Sequence, residues 1–153
     1  MMRRLLVLTA IASGLGCAMA QASDIPQLRL MAITELKANQ GGHFVTAAEI
    51  NGRSIEVLVD TGATVVALSY EDATHAGLRP GTLDFDVPVS TANGIARAAR
   101  VKIDQIAIDG IEVEDVEGLV LPEGALRGTL LGMSFLSRLS SFKVEDGVLY
   151  LRD

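Results

Sequence analysis

The stretch VLVDTGATVVALS, residues 57–69, places one carboxylate inside a run of aliphatic and β-branched residues. The apolar residues before Asp60 predict a buried strand that ends at the carboxylate. An unpaired carboxylate is costly to bury, so Asp60 either lies in a turn exposed to water or has a partner. A carboxylate held at a strand end beside apolar residues is a candidate general acid or base.

The chemistry open to Asp60 depends on a second carboxylate. Two carboxylates that share one proton can activate a water: one accepts a proton from the water, and the other polarises the carbonyl under attack. Thr61 offers a hydroxyl that can lock the loop, and Gly62 lets a backbone N–H approach the carboxylate without an intervening Cβ. Asp, Thr and Gly are also common turn residues, so an ordinary exposed turn remains an alternative on these residues alone.

The elements that must position Asp60 are predicted to be short antiparallel strands. Asn-Gly and Asp-Gly pairs between apolar stretches favour type I′ turns, which need positive φ at both central residues. Four such pairs occur, at residues 51–52, 93–94, 109–110 and 146–147. Alternation of apolar and polar residues over 83–89 and 101–107 agrees with strands. Two short helices are predicted, over residues 69–76 and 133–139.

The first twenty residues resemble a targeting segment. Arg3 and Arg4 precede an apolar run over residues 5–18, and small residues lie just before Gln21. This layout predicts a secretory signal cleaved before Gln21, and an uncleaved membrane anchor is the alternative. Cys17 leaves lipidation as a weaker third possibility. We expect residues 1–20 to be a signal peptide or anchor and residues 21–40 to be an extension with a strand.

Composition excludes several classes of function. The chain has 19 acidic and 13 basic residues, for a formal net charge of −6. This balance argues against nucleic-acid binding and against a polybasic membrane surface, so any membrane contact is expected only through the N-terminal anchor. The single cysteine, Cys17, lies in the targeting segment. We therefore expect no disulfide, thiolate nucleophile or cysteine metal ligand in the remainder.

The other chemistry-bearing residues favour structural explanations. His43 and His75 are isolated, and no histidine spacing suits zinc, so surface or structural roles are expected. A group of four acidic residues lacks the EF-hand pattern and is predicted to be the solvated face of a strand. Its members are Glu112, Glu114, Asp115 and Glu117. No metal and no organic cofactor are expected.

Three segments in order along the chain resemble retropepsin-like aspartic proteases, clan AA. LVDTGA, residues 58–63, resembles the active-site loop of that family, and TLLGMSFL, residues 129–136, resembles its apolar-apolar-Gly segment. VSTANGIA, residues 89–96, occupies the place of the flap hairpin that covers substrate. The resemblance covers about residues 42–151, and the leader makes it most similar to the bacterial periplasmic or membrane-anchored branch.

The resemblance implies an all-β retropepsin-like fold. It would be a closed, barrel-like single domain over residues 41–153, with one or two short helices, active as a homodimer. Only one Asp-Thr-Gly is present, so the second carboxylate is expected from another copy, with Asp60 of each subunit on the two-fold axis. The implied site residues are the catalytic Asp60, the supporting Thr61, Gly62 and Ala63, the flap residues Thr91, Ala92, Asn93 and Gly94, and the second-motif residues Leu130, Leu131 and Gly132.

The implied activity is that of an exported, periplasmic aspartic endopeptidase acting on protein or peptide substrates. The alternatives are a catalytically silent dimeric peptide-binding module of the cell envelope and, third, a purely structural envelope protein. Two departures from the pattern matter. Ala63 stands where pepsin-like enzymes usually have Ser or Thr, which predicts a mildly acidic pH optimum. The flap has a single glycine, Gly94, where retroviral flaps are rich in glycine.

Overall fold

The computed structural model describes residues 32–91 and 94–153. The predicted targeting segment, residues 21–31 of the extension, and the flap residues Ala92 and Asn93 lie outside the described residues. The strands are β1 (Ile33–Lys37), β2 (Val45–Ile50), β3 (Arg53–Val59), β4 (Val66–Leu68), β5 (Val87–Thr91), β6 (Gly94–Ile108), β7 (Ile111–Val120), β8 (Thr129–Leu131), β9 (Ser141–Glu145) and β10 (Val148–Arg152). The helices are α1 (Tyr70–His75) and α2 (Met133–Leu136), with a 3₁₀ turn at Pro80–Thr82.

Six strands close into a barrel. They follow the order β2-β3-β8-β4-β7-β6, and β6 pairs back onto β2 through Glu49 opposite Ala107 and Ile50 opposite Ile106. β5 extends β6 as an edge strand, and β1, β10 and β9 form a separate three-stranded sheet. The predicted all-β, closed-barrel fold with short helices is confirmed. Most strand pairs are antiparallel, but β3 pairs with β8 and β4 pairs with β7 in parallel.

Asn-Gly and Asp-Gly turns connect three of the hairpins, as predicted. Both central residues have positive φ in each: 50° and 72° at residues 51–52, 45° and 85° at 109–110, and 50° and 74° at 146–147. These values match type I′ geometry, which glycine and asparagine tolerate best. The fourth predicted hairpin joins β5 to β6 with Thr91 opposite Gly94.

The core consists mainly of Val, Ile, Leu and Ala, with Phe135 fully buried among them. In β7 the inward alternation is interrupted at Asp115, which has φ of 57° and lies between two aligned pairs, Val116 opposite Ile103 and Glu114 opposite Gln105. One residue on each strand, Asp104 and Asp115, lies between these two pairs, so the register is unchanged, and the local distortion lets Val113 and Val116 both be buried. The four acidic residues of β7 are exposed, so the prediction of a solvated strand face is confirmed.

Local capping residues set the limits of α1. Ser69 caps α1 by accepting a hydrogen bond from the Asp72 N–H at 3.1 Å, and Gly77, with φ of 78°, follows its end. α2 is shorter than predicted, because the chain leaves it through i→i+3 bonds that carry it towards β9. Neither helix, nor any other helix in residues 32–91 and 94–153, is long and apolar enough to cross a membrane.

The strand predicted from residue 83 begins only at Val87. Leu83 and Phe85 still pack on the core, as their alternation with polar residues predicted. They have no ladder partner because β6 pairs with β5 only as far as Ala98, and from Ala99 onward it pairs with β7.

Candidate active site

Asp60 lies directly after β3, where the barrel brings it against β8. The parallel pair places Leu58 opposite Leu130 and Val59 opposite Leu131. The Asp60 N–H then donates to the Leu131 carbonyl at 3.2 Å. Parallel pairing therefore joins two segments that are 72 residues apart in sequence, and β8 fixes the position of the Asp60 backbone through this hydrogen bond.

The carboxylate of Asp60 is half-buried and is held by its own loop. The Gly62 N–H donates to Oδ1 at 2.8 Å, and the Ala63 N–H donates to the Asp60 carbonyl at 3.2 Å. A Cβ on residue 62 would lie 3.1 Å from Oδ1, a contact tighter than most real Cβ contacts. Gly62 therefore permits the short approach that orients one carboxylate oxygen.

Gly132 lies in van der Waals contact beneath the same loop. A Cβ at this position would lie 2.2 Å from the Val65 carbonyl oxygen and 2.7 Å from that of Ala63. The neighbouring Met133 N–H donates to the Ala63 carbonyl at 2.8 Å. No side chain fits between the two segments, so the loop rests directly on the backbone that begins α2.

Thr61 is exposed beside Asp60. Among residues 32–91 and 94–153 its hydroxyl makes no hydrogen bond. A recess of about 340 Å³ next to it is bounded by Phe44, Val59, Lys143 and Val144, among others. The side of the molecule that carries Asp60 and Thr61 therefore continues onto β9.

β9 contributes both charge and apolar surface to that side. Lys143 Nζ lies 2.8 Å from Glu145 and 5.4 Å from the centroid of the Tyr150 ring. The hydrogen bond from Lys143, and its charge, lower the pKa of Glu145. The Val144 side chain between them is 60% exposed.

A groove of about 880 Å³ begins at Asp60. Val89, Ser90 and Thr91 of β5, the loop at residues 124–127, and Leu119 and Leu130 all line this groove. Thr91 Oγ1 donates to the Gly94 carbonyl at 2.8 Å, which ties the ends of the flap hairpin together. The predicted flap segment thus borders the groove through Thr91, while Gly94 is exposed near its tip.

Two hydroxyl side chains brace this region in ways the sequence reasoning did not assign. Thr129, 2% exposed, donates to Asp72 Oδ2 of α1 at 2.7 Å. Ser134 accepts from the Val66 N–H at 2.9 Å and donates to the Glu117 carbonyl at 2.6 Å. Their signal was present in TLLGMSFL, since each is a hydroxyl in an otherwise apolar run. The groove wall at residues 124–127 was also missed, although glycines at 124 and 128 indicate a tight loop.

The histidines and acidic residues do not assemble into a metal centre. His43 and His75 are both exposed. In the part of the chain that the structure describes, no three His, Cys, Asp or Glu residues are grouped so as to hold a metal ion.

A closed six-stranded barrel, with its Asp-Thr-Gly loop resting on an apolar-apolar-Gly strand, defines the retropepsin-like class of aspartic proteases. Residues 46–138 match the family described as "gag-polyprotein putative aspartyl protease". The chain belongs to this family.

Solved structures show the same fold. A retropepsin-like aspartic protease from Rickettsia conorii is 33% identical, with a TM-score of 0.73 over 80% of this chain and 92% of that one. The protease of EIAV, solved with the inhibitor HBY-793, is 22% identical, with a TM-score of 0.57 over 70% of this chain and 97% of that one. This second likeness concerns the fold alone.

Two curated relatives are uncharacterized proteins. One, from Sinorhizobium sp, is 47% identical over 112 residues, which cover 73% of this chain and 48% of the relative. The other, from Rickettsia prowazekii (strain Madrid E), is 37% identical over 110 residues, 72% of this chain and 47% of the relative. The chain thus spans about half the length of the curated relatives it matches.

Proposed function

We propose that the protein is an aspartic endopeptidase that hydrolyses protein or peptide substrates as a homodimer. One observation carries the proposal: a half-buried carboxylate, Asp60, is oriented by the Gly62 N–H at the end of a groove of about 880 Å³. A carboxylate with this placement suits acid–base chemistry on a bound molecule. Membership of an aspartyl protease family supports the same reaction.

The second carboxylate comes from a second copy of the chain. The sequence has one Asp-Thr-Gly, and among residues 32–91 and 94–153 no carboxylate other than that of Asp60 lines the groove. Beside Asp60 lie the exposed Thr61 and the exposed apolar side chain of Val144. A two-fold axis through this face would bring the two Asp60 loops together and cover Val144.

The two Asp60 carboxylates of the dimer, sharing one proton, can hydrolyse a peptide bond by acid–base catalysis. The ionised Asp60 accepts a proton from a water while the water oxygen attacks the peptide carbonyl carbon. The protonated Asp60 of the other copy donates a hydrogen bond to the carbonyl oxygen as negative charge develops there. When the tetrahedral intermediate collapses, the C–N bond breaks and a carboxyl proton passes to the leaving nitrogen. The products are a carboxylic acid and an amine, and the pair again holds one proton.

We also propose that the protein is exported, to the periplasm in soluble or membrane-anchored form. The support is the leader alone, with Arg3 and Arg4 before the apolar run at residues 5–18. Fractionation of cells that express the full chain, with N-terminal sequencing of the product, tests this. A mature start at Gln21 in the periplasmic fraction is expected for the soluble form, and an intact N-terminus in the membrane fraction for the anchored form. An intact chain in the cytoplasm would contradict the proposal.

The activity is tested with the purified protein and its Asp60→Asn variant, side by side. Both are incubated with a complex peptide mixture from about pH 4 to 7, and new termini are identified by mass spectrometry. The expected result is cleavage by the native protein alone. If a folded native dimer cuts nothing while both proteins bind peptides equally, the silent binding module is the better description.

A further inference from the structure

The loop at residues 124–127 carries a cationic side chain that lines the groove. Sixteen of the described residues line the groove, and apart from Asp60 and Arg127 they are uncharged. Arg127 is exposed, next to Leu126, which is half-buried. Among the described lining residues, the groove therefore has one anionic group and one guanidinium, and the others are uncharged.

The backbone fixes where Arg127 is displayed. Gly124 and Gly128 both have positive φ, 76° and 75°, and the Ala125 N–H donates to the Pro122 carbonyl at 3.0 Å. Immediately after this tight loop, Thr129 is buried and bonded to Asp72. The backbone of Arg127 is thus held in place by the loop and the barrel, and only its side chain can move.

Arg127 has no partner within the described part of the chain. The ion pairs there join Arg100 to Glu117, Lys102 to Asp115, and Lys143 to Glu145. The chain has 19 acidic and 13 basic residues, yet no carboxylate that the structure describes lies against this guanidinium. A guanidinium that lines a groove and is free of internal partners is suited to bind a carboxylate from outside, by paired N–H donors.

We propose that Arg127 selects substrates with an acidic side chain, Asp or Glu, at a subsite a few residues from the bond that is cut. This inference rests on the proposed function, since it names the substrate class of the same groove. Arg127 precedes Leu131, whose carbonyl accepts the Asp60 N–H, by four residues. At ~3.3 Å per extended residue, the backbones of Arg127 and Leu131 lie at most ~13 Å apart. The acidic residue is therefore expected within a few positions of the cut bond.

The two-fold symmetry of the dimer sharpens the inference. Each copy contributes one Arg127, so an extended substrate meets one guanidinium on each side of the cut bond. Acidic residues are therefore favoured at mirrored positions on both sides. The side chains nearest the cut bond contact the apolar lining, including Leu119 and Leu130.

The test compares the cleavage of matched peptides by the native protein and by variants with a changed charge at Arg127. Decapeptides with an apolar centre carry Glu, Gln or Lys at two, three or four positions from the centre, on either side or on both. For the native protein we expect kcat/KM about three- to tenfold higher with Glu than with Gln at one position, and lower still with Lys. Arg127→Glu should reverse the order, and Arg127→Gln should abolish it.

The matched control is Arg53→Glu. Arg53 is an exposed arginine at the opposite end of β3 from Asp60, and it does not line the groove. The Arg53→Glu substitution changes the net charge by the same amount as Arg127→Glu, and it should leave the Glu preference of the native protein intact. High salt should reduce the preference in the native protein and in Arg53→Glu, and have little effect on Arg127→Gln, because an exposed ion pair is screened.

Binding separates this inference from the proposed reaction. The same peptides, labelled with a fluorophore, are titrated into Asp60→Asn and into Asp60→Asn with Arg127→Glu. Tighter binding of Glu peptides by the first protein and of Lys peptides by the second supports the acidic subsite, even if the native protein cuts nothing. Equal affinity for Glu, Gln and Lys peptides, a Glu preference that survives Arg127→Glu, or no binding of any peptide overturns it.

Discussion

At the residue scale, two glycines determine how the Asp60 carboxylate is held. Gly62 brings an N–H to within 2.8 Å of Oδ1, and Gly132 lets the loop rest on the start of α2 without an intervening side chain. Both positions were predicted from short motifs, because the need for a missing Cβ is local. The contacts that exclude a Cβ at Gly132, with the Ala63 and Val65 carbonyls, join distant segments and could not be predicted from spacing.

Gly132→Ala should be strongly destabilising. The new methyl group would lie 2.2 Å from the Val65 carbonyl oxygen, so the backbone under the active-site loop must move. We expect a loss of about 3 kcal/mol or more in the free energy of unfolding, measured by urea denaturation. Gly81→Ala is the control, since its Cβ would meet only Tyr70 Oη at 3.5 Å and should change stability by less than about 0.5 kcal/mol. Equal stability of the two variants would contradict the close approach.

Ala63→Ser tests the predicted link between this position and pH. A hydroxyl that donates to the ionised carboxylate favours ionisation, so the general base stays active at lower pH. The acidic limb of the kcat/KM profile should move down by about one pH unit relative to the native protein. Thermal stability at each pH serves as the control for acid unfolding. An unchanged limb, or a shift to higher pH, would contradict the prediction.

At the element scale, short polar links hold the parallel strands beneath the site. Thr129 of β8 donates to Asp72 of α1, and Ser134 of α2 bridges Val66 of β4 and Glu117 of β7. Each link joins elements that are far apart in sequence, so the barrel, the helices and the active-site loop are fixed relative to one another. The sequence showed the hydroxyls but not their partners, which only the closed barrel brings together.

Thr129→Val should remove the hydrogen bond between β8 and α1 and lower the stability of the protein. The substitution preserves shape but leaves the part-buried Asp72 carboxylate without its donor, which is expected to cost about 1–3 kcal/mol of stability. Asp72→Asn and the double variant complete a cycle measured by chemical denaturation. A coupling energy near zero would show that the two side chains do not stabilise each other.

Hairpins and helices differ in how far sequence predicted them. The three described Asn-Gly and Asp-Gly turns have the expected φ values because two residues suffice to specify such a turn. α1 was predicted well because Ser69 and Gly77 cap it locally. The start of β5 and the length of α2 were predicted less well, since the first depends on where β6 changes partner and the second on the chain's return towards β9.

At the scale of the whole molecule, the proposed dimer has its interface on the surface beside Asp60, which includes the exposed Val144. Val144→Lys places a charge on this surface, which should raise the dimer dissociation constant about tenfold or more. Sedimentation velocity measures the change, and activity should fall most at low protein concentration. Ser54→Lys adds the same charge on an exposed residue at the end of β3 that is far from Asp60, and it should leave dimerisation unchanged. Equal dissociation constants for the two variants would place the interface elsewhere.

The measurement that tests the central claim most directly is subunit mixing. Native protein and Asp60→Asn are mixed in equal amounts, allowed to exchange subunits, and assayed at fixed total concentration with one cleaved peptide. If each site needs an Asp60 from both copies, only about a quarter of the dimers are competent, and activity falls to about a quarter of the all-native value. Activity of one half would mean that each chain cuts with its own Asp60, and it would contradict the shared pair.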